Sequence, residues 1–218
     1  MRNLVIYGDG IHAERIFQYI LQEKQDNVIA FTNEDERITR KQIFNYPVIP
    51  LSDLDGHLRK GDYSLLIAFG YSQMNDIRKK VYHECKELGY KVATYISPNA
   101  MVYSTKIGEG TIVLPGAFIG LGTMIGKCCL ISETSYVGHN ITMGDYVFVS
   151  ANVAIGGYVR VGNNCFVGVH STIKDKIDVN DYTLIGAAAN IIKNTDKYGV
   201  YVGNPAKKLD TKSTDTKI

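Results

Sequence analysis

The chain has 218 residues, and 24 Lys and Arg set against 22 Asp and Glu leave a formal charge of +2. With basic residues scattered and no Lys/Arg run interleaved with aromatics, that balance argues against nucleic acid or an anionic membrane as partner. No apolar segment reaches membrane-spanning length, and MRNLVIYGDG enters a strand pattern at once, without the residue order of a signal peptide. Four cysteines (Cys85, Cys128, Cys129, Cys165) show no metal-ligand spacing, so the expectation is a reduced, cytoplasmic, soluble protein without metal. The length suits two domains of about 100 residues each.

Asn3 to Tyr7 is a short apolar run ending in Gly8-Asp9-Gly10-Ile11-His12-Ala13. An amphipathic stretch follows, with Ile16, Phe17, Ile20 and Leu21 on one helical face. Further strands are expected at Val28–Thr32, Leu65–Phe69 (ending at Gly70) and Lys91–Tyr95, with a helix over IRKKVYHECKEL. Strands alternating with helices imply a parallel α/β sheet whose ligand edge lies at the strand C-termini. The G-x-G-x-x-A turn sits after a strand and before a helix, the context of a phosphate-binding turn. The domain is about half a full dinucleotide-binding unit, which favours a mononucleotide or nucleotide-sugar diphosphate over NAD. A tight turn without ligand is the plain alternative. His12 either donates to a phosphate or caps the turn. Asn33 and Glu34, beyond strand two, either read a base or ribose edge or are solvated loop residues.

Pro98 ends this domain, and a different pattern begins within three residues. From Met101 to Ile191 every sixth residue is aliphatic, sixteen positions in one phase, nine of them followed directly by Gly. Two residues before each stands a small or β-branched residue, among them Thr105, Cys129 and Cys165. A period of six fits neither a helix nor a lone strand; it belongs to a solenoid of short strands joined by tight corners. With three hexads to a triangular coil, as in left-handed parallel β-helices, residues eighteen apart are stacked and about five coils form without an insertion loop. Such a coil encloses no cavity, so its ligands sit in clefts between chains. Phe118, Tyr136, Tyr146, Phe148, Tyr158 and Phe166 occupy outward phases and favour side-by-side association. Cys128 and Cys129 are expected on opposite faces of a strand.

His139 lies two residues past inward Val137, at an outward phase, and Gly157 follows eighteen residues later. The two should be vertical neighbours. A general base beside a bare backbone N–H is the minimum for acyl transfer: the imidazole takes the proton and the amide holds the developing oxyanion. A surface histidine at a corner is the alternative. His170, at another phase, fits a subunit contact.

These features together resemble a known family. The hexads, His139 and the segment Gly199 to Leu209 (GVYVGNPAKKL) resemble bacterial hexapeptide-repeat acyltransferases. Ile6 to Ala13, with Ile77-Arg-Lys-Lys80, looks like the branch acting on nucleotide-linked amino sugars, of the bacillosamine and sialic-acid pathway type. The similarity runs from residue 3 to 209. It implies an N-terminal Rossmann-like nucleotide-sugar-binding domain over 1–97 and a left-handed parallel β-helix acyltransferase domain over 98–196. A C-terminal segment, 197–218, would border the coenzyme and end in a polar tail. It further implies a homotrimer with acetyl-CoA between adjacent coils. By matching positions His139 would be the base, Asn140 its neighbour and Gly157 the oxyanion amide. Gly8, Asp9, Gly10, His12, Asn33, Glu34 and Gly70 would bind the nucleotide sugar. Gly157, Gly203, Asn204, Pro205 and Lys207 would bind the acyl-CoA.

Two departures stand out. The family segment often has Glu after the histidine, where this chain has Asn140, and two acids at the end of strand two, where it has Asn33 and Glu34. Asn can orient an imidazole but adds no charge, which suits an amine acceptor that needs less help than a hydroxyl. A difference around Tyr71 to Asn75 bears on the sugar pocket. The expected activity is N-acylation of a nucleotide-linked deoxyamino sugar by direct attack on the thioester. Sugar O-acetylation and a non-catalytic sugar-nucleotide-binding trimer are the alternatives; a NAD oxidoreductase fails on domain size.

Overall fold

In the computed structural model, which describes residues 1–104 and 106–216, the first apolar run forms strand β1 (Asn3–Tyr7). The hexad slot at Thr105 and the final residues Lys217 and Ile218 lie outside the described residues. After β1 come α1 (Ile11–Glu23), β2 (Asn27–Asn33), β3 (Gln42–Ile43), β4 (Tyr46–Pro50), α2 (Leu54–His57), β5 (Ser64–Ile67) and α3 (Asp76–Glu87). The sheet order is β3-β4-β2-β1-β5, with β1, β2, β4 and β5 parallel and β3 antiparallel on β4. The chain therefore moves outward from β1 on one side and crosses to β5 on the other. The crevice at the C-terminal end of β1 is the switch point of an open α/β sheet.

Two expectations for this domain need correcting. Leu21 is 54% exposed, and α1 buries Ala13, Ile16, Phe17 and Ile20 instead, because the stripe turns toward i−3 and i−7 from Ile20. Lys91–Tyr95 is not one strand: Val92 bridges to Leu65 at the sheet edge, whereas Tyr95–Ile96 leaves the sheet and pairs with Ile112–Val113. The hairpin of β3 and β4 was not legible in the sequence, since Pro47 and Pro50 break its strand pattern.

Beyond Pro98 the chain winds as a left-handed parallel β-helix of three faces, each built from two-residue rungs eighteen residues apart. The docked face carries Ile112–Val113, Leu130–Ile131, Phe148–Val149, Phe166–Val167 and Leu184–Ile185. The aromatic face carries Met101–Val102, Phe118–Ile119, Tyr136–Val137, Ala154–Ile155, Thr172–Ile173 and Asn190–Ile191. The third runs from Lys106–Ile107 to Asp178–Val179. The second residue of each rung points inward, and these aliphatics with Ala117, Cys129, Val147, Val153, Cys165 and Ala189 form one continuous core. The single slip is at the start: Val102, paired with Ile119, takes the inward place, and Met101 is 53% exposed. Gly138 shows why glycine follows the inward residue, since a Cβ there would stand 2.8 Å from the Ile155 carbonyl oxygen of the next coil.

The N-terminal domain lies along the docked face, and the two share a core. Leu130, Phe148, Ile112 and Leu114 pack in one cluster with Ile6, Ile16, Phe17 and Ala68. This changes the fate of three aromatics. Tyr146 and Phe148 are buried beneath the chain's own N-terminal domain and Phe166 is half-buried against it; the Tyr71 ring meets Phe148 edge-on at 4.9 Å and Phe166 at a tilt at 4.7 Å. Cys128 likewise is outward from the coil yet fully buried under α3; it stands in a turn, and Cys129 follows it just before the strand, so neither lies in a strand. Asn75, Asn164 and Asp76 lock the contact: Asn75 Nδ2 donates to the Cys165 carbonyl at 3.1 Å, and Asn164 Nδ2 donates to the Met74 carbonyl and to Asp76, each at 3.0 Å. The segment Tyr71 to Asn75 thus serves the domain contact.

Candidate active site

Where the aromatic face turns into the third, the chain makes a corner at Gly138-His139-Asn140. Asn140 takes the left-handed conformation that the tight turn requires (φ 54°), one that Asn tolerates better than most residues. Its side-chain oxygen lies 3.0 Å from His139 Nδ1. Asn140 Oδ1 can only accept, so in the neutral ring Nδ1 carries the proton and Nε2 keeps its lone pair. That lone-pair edge lies over Gly157, where a Cβ would meet Nε2 at 2.6 Å and Cε1 at 2.8 Å. The ring edge also packs against Tyr158, centroids 5.1 Å apart and planes at 88°.

Like the amides of His139 and Asp175 stacked at the same corner, the Gly157 amide has no acceptor among the described residues, in contrast to those at another corner of the coil. Between the third face and the docked face, the amides of Lys127, Asp145 and Asn163 donate to Asp145, Asn163 and Asp181 one coil further on, at 2.7, 2.8 and 2.8 Å. A base with a free lone pair and an uncapped donor therefore share one corner. A groove of about 450 Å³ opens beside them, lined by Tyr103, Phe118, Gly120, Leu121, Tyr136 and His139. The other side of Tyr136 borders a shallow channel past Ala154, Gly156, Thr172 and Lys174 to Asn190. At its far end Asn190 N donates to Gly203 O, and Asn190 Nδ2 to Asn204 Oδ1, both at 3.0 Å. Gly203, Asn204 and Pro205 thus close the coil three rungs from His139, about 14 Å along the axis. Exposed Lys207 follows them.

A second cavity, of about 340 Å³, sits at the switch point and gathers Gly8, Asp9, Gly10, His12, Asn33 and Gly70 with Ile11, Arg37, Ala68 and Phe69. Gly8 is left-handed in φ (127°), and a side chain there would press on the Ala68 carbonyl at 3.4 Å. Gly10 precedes the first turn of α1 with no side-chain cap, leaving N–H groups open to an anion. Asn33 Nδ2 donates to Asp9 Oδ1 at 2.6 Å, and Glu34 N donates to Asn33 Oδ1 at 2.9 Å, so Asn33 braces the turn. His12 packs between Tyr71, Phe148 and Gly70, and burial, reinforced by Arg15 and Arg78, holds its pKa below the ordinary value. Glu34 alone turns away: it pairs with Lys80 at 3.0 Å and Arg37 at 2.6 Å, and the bond from Lys80 holds its carboxyl below the usual range. Arg37, Tyr103 and Tyr136 were not anticipated as site residues; nothing in their spacing marks them, because three-dimensional neighbours supply their role.

The two sites do not meet within one chain. His12 contacts Phe148 on the docked face, whereas His139 stands at the corner opposite that face. With six residues per side, that corner is on the order of 15 Å from the docked face. His170, at a third position, has Nε2 3.5 Å from Asn152 Nδ2.

An α/β domain with an open glycine turn, docked on a β-helix of hexapeptide repeats with a histidine at one corner, defines a two-domain hexapeptide-repeat protein. Residues 3–85 match the sequence model of the PglD N-terminal domain family. Solved structures share the architecture over nearly the whole chain. The acetyltransferase domain of PglB from Neisseria gonorrhoeae FA1090 is 23% identical, with TM-score 0.84 over 96% of this chain and 100% of that one. A histidine-to-alanine mutant of GDP-perosamine N-acetyltransferase from Caulobacter crescentus, in complex with CoA and GDP-perosamine, is 24% identical, with TM-score 0.86 over 97% and 98%. WeeI from Acinetobacter baumannii AYE is 20% identical, with TM-score 0.75 over 96% and 100%. No described helix is long and apolar enough to cross a membrane, and no described cluster of His, Cys, Asp and Glu could hold a metal ion.

Proposed function

We propose that this protein transfers an acetyl group from acetyl-CoA to the amino group of a nucleotide-linked deoxyamino sugar. The observation that carries this is the pairing of His139, its Nε2 free, with the uncapped Gly157 N–H. The amine nitrogen attacks the thioester carbonyl carbon, His139 Nε2 takes the amine proton, and Gly157 N–H stabilises the oxyanion. The C–S bond then breaks, and the proton held on His139 passes to the departing thiolate. Asn140 fixes the imidazole tautomer without adding a charge, which favours an amine over a hydroxyl acceptor. The channel past Gly156 to Asn190, with Gly157 near one end and Gly203, Asn204, Pro205 and Lys207 beyond the other, takes the coenzyme. The turn at Gly8, Asp9 and Gly10, with His12 and Gly70, takes the diphosphate, and Asn33 with Glu34 lies toward the base. The relatives named with CoA, acetyl coenzyme A or GDP-perosamine in their descriptions support the pairing of donor and acceptor.

Because His12 and His139 lie on opposite sides of one coil, we assign the working enzyme as a homotrimer, with the nucleotide turn of one subunit facing the His139 corner of the next. Phe118, Tyr136 and Tyr158, left uncovered by the N-terminal domain, suit that contact. We keep domain limits of 1–97, 98–196 and 197–218 as part of this proposal, and four free, buried thiols fit a cytoplasmic enzyme of cell-surface polysaccharide synthesis. Thiol release from acetyl-CoA, measured against UDP-, dTDP- and GDP-linked 4-amino and 3-amino deoxysugars, tests the reaction. Turnover with one of them is expected; acetyl-CoA binding without thiol release from any would overturn it.

A further inference from the structure

The cations around the switch-point cavity already have partners. Arg37 pairs with Glu34 at 2.6 Å, Arg15 with Glu133 at 3.6 Å, and Arg40 with Glu14. Arg78 differs from all of them. It is 2% exposed, held between α3 and the docked face, and no carboxylate pairs with it among the described residues. Nη2 donates to Asn75 Oδ1 at 2.6 Å and reaches the Tyr146 carbonyl at 3.5 Å, while Nε and Nη1 have no protein acceptor. Its other neighbours, Cys128 and Cys129, are thiols whose own burial keeps them protonated.

A buried cation without a counter-charge weakens a fold, and an apolar residue of similar volume would pack the same space at less cost. Its position suggests what offsets it. The guanidinium carbon is 5.8 Å from the centroid of Phe148, and the same ring meets His12 at 6.0 Å. One aromatic ring thus touches both the cation and the histidine of the phosphate turn. Arg78 also helps depress the His12 pKa, so its field reaches the cavity.

We propose that Arg78 is a counter-charge for the substrate diphosphate, a positioning residue that acts through space and selects nucleoside diphosphates over uncharged nucleosides. This rests on the phosphate-turn reading given under the proposed function. At a separation near 10 Å and protein-like screening, one buried charge changes anion affinity by roughly tenfold.

The test is calorimetric titration of wild type, Arg78→Lys and Arg78→Met with UDP, GDP and dTDP and with uridine, guanosine and thymidine. Arg78→Met is expected to weaken the diphosphate that binds by about tenfold while leaving its nucleoside unchanged, and Arg78→Lys to recover most of the loss. Equal losses for diphosphate and nucleoside would overturn the proposal, as would no loss at all. The wild type supplies a check that needs no variant. A buried charge is poorly screened, so the preference for diphosphate over nucleoside should survive 1 M KCl at about tenfold; its collapse overturns the proposal. Thiol release that persists alongside unchanged diphosphate affinity in Arg78→Met removes this inference alone. A wild type that binds no nucleoside diphosphate removes the phosphate-turn reading as well.

Discussion

The imidazole of His139 lies directly over Gly157, so close that a Cβ on residue 157 would stand 2.6 Å from Nε2. Glycine at this position leaves its N–H open and leaves room for the ring. Gly157→Ala should displace the imidazole and lower kcat by at least about 100-fold, because an error near 1 Å in a catalytic group has that scale. The corner is at the surface of the coil, so thermal denaturation should move by only a few degrees. A large fall in Tm with kcat per folded molecule unchanged would contradict this.

The proposed sharing of the site between subunits makes a stoichiometric prediction. His12→Ala and His139→Ala should each be inactive, while chains unfolded together and reassembled as mixed trimers should regain activity. In a 1:1 mixture about one quarter of the sites would combine an intact His12 with an intact His139 from its neighbour. Recovery of nothing would mean that both residues serve one chain.

His12 sets a pH dependence of stability. Burial lowers its folded-state pKa below the unfolded value of 6.5, so the unfolded chain binds the proton more readily. The associated stability is fully present above 6.5 and is lost as pH falls through the folded pKa. Urea midpoints measured from pH 8 to 5 should fall more steeply for wild type than for His12→Gln. Parallel curves would show that His12 is not the group responsible.

The cysteines should be inert in the folded protein. Burial pushes the thiols of Cys85, Cys129 and Cys165 up to about 12, and Cys128 is driven up further beneath α3. Thiolate is the reactive form, so iodoacetamide at pH 8 should label none of the four until denaturant is added. Rapid labelling of Cys128 in the native state would show that the domain contact opens.

Much of this architecture was written in the spacing. A six-residue period, taken three to a coil, placed the inward residue of every hexad rung but the first. That exception has a local cause: the step from inward Val102 to Ile107 is five positions instead of six, and a period read from identities alone took the aliphatic Met101 instead. The vertical contact of His139 with Gly157 followed from the same arithmetic. What the period could not say is which outward aromatics stay uncovered on the coil and which meet the chain's own N-terminal domain. Phe118 and Phe148 look alike in sequence; only docking of α1 and α3 distinguishes them. The pairing of Glu34 with Lys80 was hidden for the same reason, since Lys80 arrives from a helix 46 residues away.

The most direct measurement is thiol release from acetyl-CoA in the presence of the nucleotide-linked amino sugar that supports turnover, comparing wild type with His139→Ala. If His139 is the base, kcat falls by about 100- to 10,000-fold while acetyl-CoA and sugar-nucleotide affinities stay within a few-fold of wild type. Turnover that survives the substitution would mean that the amine attacks without a protein base and that His139 only lines the cleft.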